Sequence, residues 1–342
     1  MKFAKQSYDI TVLIISSNCL TLNLYKSCTL YPQNLLILYW TIRSNNDIIT
    51  KSMAATSFLT SKHIKRGKHI MEKNELTRMV ASYVETAEEN HVQAQDAIEP
   101  RLIGMRIFKA PLIAFGSADD PLFAQMQQPQ AVGPHFMLPH EWLPEVHTVI
   151  SCFFPFTEQV KASMRKTATL PTSEWLHARI GGQAFLNTFA CWLRTQLEQT
   201  GSKSLVPTQD ERFHVGSPIP GGTYFTSNWS ERHVGFVCGL GTFGICAGLI
   251  TSNGMAGRLC SVITEAYFEP DGRAYHDVYE YCIRCGACVH RCPVGAVTLE
   301  SGKNHPPCSA WLNEMKKRFA PRYACGFCQT GVPCESHIPL PR

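Results

Sequence analysis

The chain has 342 residues, with 32 Lys or Arg against 27 Asp or Glu, and 15 cysteines. This length is enough for about two domains that each bury a core, so disulfide bridges are not needed to hold a small scaffold together. Eight of the cysteines lie between Cys282 and Cys334. Such clustering is typical of metal ligation in a reducing compartment rather than of a secreted disulfide framework, and we therefore expect a cytoplasmic protein.

The excess of positive charge lies entirely in the first 70 residues, which carry nine Lys or Arg and two Asp. The rest of the chain carries 23 basic and 25 acidic residues, and this balance does not favour a nucleic acid such as tRNA as partner. The apolar stretch 11–40 is interrupted by Asn, Lys and Pro before it reaches the roughly 20 residues that a bilayer requires. It also lacks the cleavage site of a signal peptide, so we predict neither a membrane span nor export.

Residues 1–70 are interpreted as a leader that is disordered or that precedes the true start of the protein at Met71. A regular pattern begins only there. Apolar side chains recur at helical spacing behind Asn74, which is the predicted N-cap. The members of this helical pattern are Leu76, Met79, Val80, Tyr83, Val84 and Ala87.

Residues 71–270 are predicted to form an α/β or α+β domain. The apolar runs 111–116 and 148–154 are bounded by turn-forming or polar residues, as buried strands are. A helix is predicted over 178–200, ending at Gly201, a residue that can take a positive φ. The Gly- and Pro-rich segment 216–225 is predicted to be a loop.

Residues 275–342 are predicted to form a small ferredoxin-like domain with two [4Fe–4S] clusters. Cys282, Cys285, Cys288 and Cys292 follow one another at intervals of three, three and four residues, and Pro293 comes next. This spacing is the bacterial ferredoxin signature, in which the last cysteine binds the other cluster of a pair. Small residues beside the cysteines leave backbone amides free to donate hydrogen bonds to sulfur.

Four more cysteines must therefore come from further along the chain. The simplest assignment gives one cluster Cys282, Cys285, Cys288 and Cys334, and gives the other Cys292, Cys308, Cys325 and Cys328. Zinc is the alternative, because paired C-x₂-C units also build Cys₄ zinc sites. The third cysteine of the run and the Cys-Pro pair favour iron–sulfur clusters.

A glycine-rich motif, CGLGTFG, occupies residues 238–244. Gly239, Gly241 and Gly244 match the spacing of a dinucleotide-binding fingerprint. That fingerprint requires a preceding strand within a βαβ unit, whereas this motif follows the polar segment SNWSERH. We therefore do not favour NAD binding, and close packing of a glycine loop is the simpler interpretation.

The segment 230–264, the cysteine run, CSAWL at 308–312 and CGFCQTGVPCESHIP at 325–339 resemble the epoxyqueuosine reductase-related iron–sulfur proteins. That family is distantly similar to reductive dehalogenases. The resemblance covers roughly residues 98–340. It implies a nitroreductase-like N-terminal domain holding a corrinoid such as cobalamin, with Gly239, Gly241 and Gly244 beside that cofactor.

The resemblance also identifies a departure, because the acidic proton donor of the epoxyqueuosine reductases has no counterpart in TYFTSNWSER (223–232). The tRNA substrate of that family is therefore in doubt for this chain. Tyr224, Glu231 and His233 are the remaining candidates for proton transfer. Each also has a structural interpretation: a half-buried packing residue for Tyr224 and His233, and an ion pair with Arg232 for Glu231.

The sequence thus predicts an iron–sulfur oxidoreductase that passes low-potential electrons through two clusters to a small-molecule substrate, with cobalamin as a further cofactor. The expected electron donor is a ferredoxin or a flavodoxin. The alternative is an electron-transfer protein or subunit without substrate chemistry of its own. The length of the N-terminal part favours an enzyme, because a carrier needs only the last 65 or so residues.

Overall fold

The computed structural model describes residues 71–216 and 226–340, together with the backbone of four strands nearer the N-terminus. These strands form an antiparallel sheet in chain order: β1 (Asp9–Thr11), β2 (Tyr25–Leu30), β3 (Leu36–Ser44) and β4 (Asp47–Ala54). Residues Met1–Gly67 and Lys68–Arg342 form two separate compact units. The interpretation of residues 1–70 as a leader stays a prediction.

The second unit begins with helices and strands that alternate. Its first half contains α1 (Lys73–Thr86), β5 (Leu112–Ser117), α2 (Pro121–Gln125), α3 (Pro139–Trp142), β6 (Thr148–Pro155), α4 (Glu158–Arg165), α5 (Ser173–Gln199) and β7 (Ser204–Leu205). The second half contains α6 (Glu231–Val237), β8 (Gly241–Phe243), β9 (Leu249–Thr251), β10 (Gly257–Thr264), α7 (Ala287–His290), β11 (Val297–Thr298), β12 (Gly302–Lys303) and α8 (His305–Phe319). Among the described residues, no helix is both long and apolar enough to cross a membrane.

The central sheet has the strand order β5-β6-β10-β7, and every neighbouring pair is antiparallel. The mixed α/β class is confirmed, and both predicted strands are present as β5 and β6. All eight residues of β6 are buried, because helices cover both faces of the strand. Ile150 and Phe154 pack towards α1 and α5, whereas Val149 and Phe153 pack towards α2, α3 and α6. A strand enclosed in this way has a continuous apolar sequence.

Two predicted helix starts are wrong. The N-cap position of helix α1 is Glu72, whose side chain makes no capping hydrogen bond, and Asn74 lies inside the first turn. Helix α5 begins at Ser173, five residues before the predicted start, because the Thr172 hydroxyl accepts a hydrogen bond from the Trp175 amide and caps the helix there. The predicted end is confirmed, since α5 stops at Gln199 and Gly201 has a φ of 86°.

The segment after α8 returns to the sheet layer and packs tightly against it. A Cβ atom added at Gly326 would lie 2.2 Å from the Trp175 ring of α5. The Met255 amide donates a hydrogen bond of 2.9 Å to the Cys334 carbonyl. Arg165 of α4 forms an ion pair with Glu335, which is buried. The positions of the last cysteines are therefore set by the α/β layer.

We expect Gly326→Ala to destabilise this packing, because the added methyl group has no space beside the indole of Trp175. The cost of such overpacking is typically about 1–3 kcal/mol. Gly272→Ala is the matched control, since its added methyl group would meet no atom within 4 Å. Urea denaturation of the cluster-loaded protein measures the difference. Identical midpoints for the two variants would show that the contact with Trp175 does not constrain the segment.

Candidate iron–sulfur sites and the adjoining cleft

The first group of cysteines surrounds one small cavity. Cys282, Cys285, Cys288 and Cys334 all line it, and Ile245, Ile250 and Val332 contribute apolar walls. Burial raises the pKa of the Cys334 thiol to about 12, and the neighbouring charges of Cys282 and Cys285 add to the rise. Four thiols that share a cavity are the ligand set that a [4Fe–4S] cluster requires.

The tight turn through the cysteine run depends on two residues with positive φ. Arg284 has a φ of 49°, and Gly286 has a φ of 74° and precedes α7. After the turn, the Ala296 amide donates a hydrogen bond of 3.2 Å to the Sγ atom of Cys292. Amide donors of this kind stabilise the negative charge on the sulfur of a cluster ligand.

The second group consists of Cys292, Cys308, Cys325 and Cys328. Burial raises the pKa of the Cys308 thiol; nearby Lys303 works against this rise, whereas Cys328 and Cys292 add to it. Burial likewise raises the pKa of Cys325 to about 12, and the charges of Cys328 and Cys308 contribute. These four thiols thus lie near enough for their charges to influence one another, and their assignment to a second cluster stays a prediction.

Cys246 lies between the two groups. Its thiol interacts with Cys288 of the first group and Cys328 of the second, and contact with Cys288 together with burial raises its pKa to about 12. Its Sγ atom is also 3.6 Å from the Met255 sulfur. Cys246 stands apart from the cysteine run, between Ile245 and Ala247, so the sequence alone gives no sign of this position.

The arrangement of the first group of cysteines suits a cluster better than a single metal ion. No three His, Cys, Asp or Glu side chains among the described residues are close enough together to bind a single metal ion. The thiols of the first group instead line the walls of a shared cavity. Each cubane takes one thiolate at each of its four irons, so ligands spread around a cavity suit it.

A cleft of about 1410 Å³ adjoins the second group. Gln329, next to Cys328, and Arg232 both line the cleft, and the charges of Cys246, Cys328 and Cys308 act on the Arg232 guanidinium. Met255 lines the cleft as well and contacts Cys246. These 1410 Å³ include space open to solvent, and the part that a water-sized sphere can occupy is about 480 Å³, within the roughly 300–1,000 Å³ of common small-molecule sites.

Glu231 is the one carboxylic acid that lines this cleft among the described residues. Both of its carboxylate oxygens are buried and lack a hydrogen bond of ordinary geometry. Burial raises the pKa of Glu231 to about 7, and the neighbouring Ser261 offsets only part of the rise. The Ser261 hydroxyl is itself held by a hydrogen bond of 2.9 Å from the Trp229 indole.

His233 does not share the cleft with Glu231. Two positions along a helix correspond to a rotation of about 200°, and His233 accordingly lines a different cavity, with a volume of about 1970 Å³. Its Nδ1 atom is 2.7 Å from the Ser230 hydroxyl. Burial and the charge of Arg232 lower its pKa to about 4, which makes His233 a neutral side chain at pH 7. Tyr224 lies outside the described residues.

The glycine loop is explained mainly by packing. A Cβ atom at Gly241 would lie 1.9 Å from the Ile250 carbonyl oxygen, across the β8–β9 pair. Gly239 has a φ of 98° and faces the Gly272 carbonyl. Of the three glycines, Gly244 borders the 1970 Å³ cavity. The space above Gly239 and Gly241 is thus filled by the protein, and these two residues do not form a cradle for a corrinoid.

The expected ion pair between Glu231 and Arg232 is absent. Neighbouring residues on a helix point in different directions, and Arg232 instead donates a hydrogen bond of 2.6 Å to the Ala247 carbonyl. Sequence reasoning also missed Arg258, which lines the cleft from β10. A lone arginine in an apolar strand was the available signal for it.

Residues 275–298 match the family of 4Fe-4S binding domains. The match includes the run from Cys282 to Cys292 and supports 4Fe–4S cluster binding by this segment. No curated protein matches the chain in sequence.

Solved structures that resemble the chain include epoxyqueuosine reductases and reductive dehalogenases. The enzyme from Bacillus subtilis is 18% identical over 78% of this chain and 67% of its own, with a TM-score of 0.43. The enzyme from Streptococcus thermophilus is 17% identical over 67% of this chain and 64% of its own, with a TM-score of 0.39. The catabolic reductive dehalogenase NpRdhA is 14% identical over 67% of this chain and 30% of its own, with a TM-score of 0.42. The chain spans 61% of another epoxyqueuosine reductase.

Proposed function

We propose that this protein is an iron–sulfur oxidoreductase that binds two [4Fe–4S] clusters and reduces a small molecule in the cleft beside Glu231. The observation that carries the proposal is the arrangement of the cysteines. Cys282, Cys285, Cys288 and Cys334 line one cavity. Gln329, next to Cys328, lines the cleft together with Arg232, whose guanidinium is influenced by the charges of Cys328 and Cys308. An electron carrier without substrate chemistry does not require such a cleft.

When bound, a pair of [4Fe–4S] clusters supplies one-electron transfers at low potential. The chain's own residues set the direction of this transfer. Cys285 of the first group is exposed, which makes that end the entry point for a donor such as ferredoxin or flavodoxin. Cys246 fills the space between the groups, and Arg232 connects the second group to the cleft.

Glu231 is the proton donor in this proposal. A carboxyl group with a pKa of about 7 is about half protonated at neutral pH, which is the condition in which a general acid works best. Burial disfavours the charged carboxylate and therefore favours the protonated acid. His233 is a poorer donor, because its lowered pKa leaves no proton to give at pH 7 and because it faces the other cavity.

Cobalamin remains a proposed further cofactor, and so does the nitroreductase-like relationship of the α/β part. Gly244 borders the cavity that His233 also lines, whereas the space beside Gly239 and Gly241 is filled by neighbouring backbone. No step of the proposed chemistry is therefore assigned to a corrinoid.

Anaerobic metal analysis tests the clusters. We expect about eight iron and eight acid-labile sulfide per chain, because two cubanes contain that number. Cys292→Ala should lose about half of both, since the first group keeps its four thiols. Cys191→Ala is the control, because Cys191 lies on α5 away from both groups. Stoichiometric zinc without sulfide would contradict the proposal.

Gel filtration after incubation with cobalamin under reducing conditions tests the corrinoid. We expect cobalamin to co-elute with the cluster-loaded protein, because the resemblance to the epoxyqueuosine reductase-related proteins implies a corrinoid. Gly241→Ala is unsuitable as a probe, because its methyl group would clash with Ile250 whether or not a cofactor binds. Elution of the protein free of cobalamin would contradict the proposal of a corrinoid and would not affect the proposal of two clusters.

The raised pKa of Glu231 predicts a specific dependence of stability on pH. Ionisation of the buried acid costs free energy in the folded state, so the stability that the neutral acid provides is complete below about pH 4.5 and is lost as the pH rises through about 7. Glu231→Gln removes this loss. We expect the variant to gain stability over the wild type between pH 4.5 and pH 8, by up to roughly 3 kcal/mol.

Thermal unfolding of both proteins at several pH values measures this difference. A difference in stability between the two proteins that stays constant across the pH range would show that Glu231 has the same pKa in the folded and unfolded states. Glu231 would then not be the proton donor.

A further inference from the structure

We infer that Arg258 binds an oxyanion of the substrate, either a carboxylate or a phosphate, in the cleft. The inference deepens the proposed function and rests on it, because it takes the cleft beside Glu231 as the substrate site. It assigns the class of molecule that the protein acts on, which the sequence motifs left open.

Arg258 lies on β10 and reaches into the cleft, where Gln183 of α5 lies opposite. One guanidinium nitrogen donates a hydrogen bond to the Gln183 amide oxygen. The Nε atom of Arg258 is buried and has no hydrogen-bond partner. A buried guanidinium donor without an acceptor is costly, and an oxyanion in the cleft would provide one.

Arg258 has no carboxylate partner among the described residues. Within residues 71–216 and 226–340, no Asp or Glu forms an ion pair with it. Glu231 lines the same cleft, but its pKa is raised, whereas a guanidinium in close contact would lower it.

Two other arginines increase the positive potential around Arg258. Burial lowers its pKa to about 9, and the charges of Arg179 and Arg232 contribute. Each of these neighbours has a partner of its own. Arg179 lies over the Tyr323 ring at 5.0 Å, and Arg232 is influenced by the thiols of the second cysteine group. Arg258 is therefore the guanidinium left for a ligand.

The geometry of a guanidinium suits this role. Its planar set of donors binds carboxylate and phosphate through paired hydrogen bonds, and these are stronger than neutral ones. An anion held by Arg258 would also reduce the repulsion among the three arginines. Its remaining part would then lie within the cleft that Glu231 and Arg232 line.

Isothermal titration of the cluster-loaded, full-length protein tests the inference with two probes, inorganic phosphate and benzoate. We expect at least one probe to bind, and Arg258→Gln to weaken that binding roughly tenfold or more. The probe with the larger loss identifies the class of oxyanion. Arg78→Gln is the control, since Arg78 is an exposed residue of α1 that does not line the cleft.

Arg258→Lys is a second variant that distinguishes loss of the anion site from misfolding, because it keeps the positive charge but loses the planar pair of donors. We expect it to bind with intermediate affinity. Equal affinity of wild type and Arg258→Gln for both probes, or no binding of either probe to the wild type, would overturn the inference.

Iron and sulfide content, measured on the same samples, separates this inference from the proposed function. Loss of anion binding with full clusters supports the role of Arg258. Absence of clusters from every protein would contradict the proposed function, while the anion affinities would still decide the role of Arg258.

Discussion

The return of the chain from Cys308 to Cys334 is the constraint on which the two proposed cluster sites depend. In the proposed assignment, Cys282, Cys285 and Cys288 supply three ligands to one cluster, and Cys292 supplies only one to the other. The remaining ligands of that assignment come from α8 and from the segment after it, which has little regular structure of its own. Packing of Gly326 on Trp175 and the hydrogen bond from Met255 to Cys334 hold that segment in place. The α/β layer thus positions the last proposed ligands as well as forming the cleft.

The positions of charged groups follow from the same packing. Arg232 lies where the second cysteine group meets the cleft, and its positive charge faces thiols that carry negative charge when they bind iron. Burial raises the pKa of Glu231, one residue earlier on α6, to about 7, so this carboxyl group keeps its proton up to near neutral pH. Adjacent residues on one short helix therefore serve opposite electrostatic purposes. One stabilises negative charge, and the other holds a proton.

The glycine loop shows how a motif can arise from packing alone. Gly241 lies opposite the Ile250 carbonyl in the β8–β9 pair, where no side chain fits. Helix α6 precedes the loop and a strand follows it, an order opposite to that of a dinucleotide-binding turn. The spacing of these glycines resembles a cofactor-binding fingerprint, but the close approach of two backbone segments accounts for Gly241 fully.

The sequence by itself determined the features that depend on local spacing and on continuous hydrophobicity. The interval between Cys282 and Cys292 indicated a cluster-binding turn, because the intervals reflect the reach of consecutive thiols. The apolar run of β6 indicated a strand buried on both faces. The start of α5 was misplaced, since a single hydroxyl at Thr172 sets it and the apolar pattern begins later. Only the tertiary structure decided that Cys246 lies between the two groups, that Glu231 and His233 face different cavities, and that no described Asp or Glu pairs with Arg258. Each of these facts depends on contacts between residues far apart in the chain, and burial and pairing across such distances leave no local pattern in the sequence.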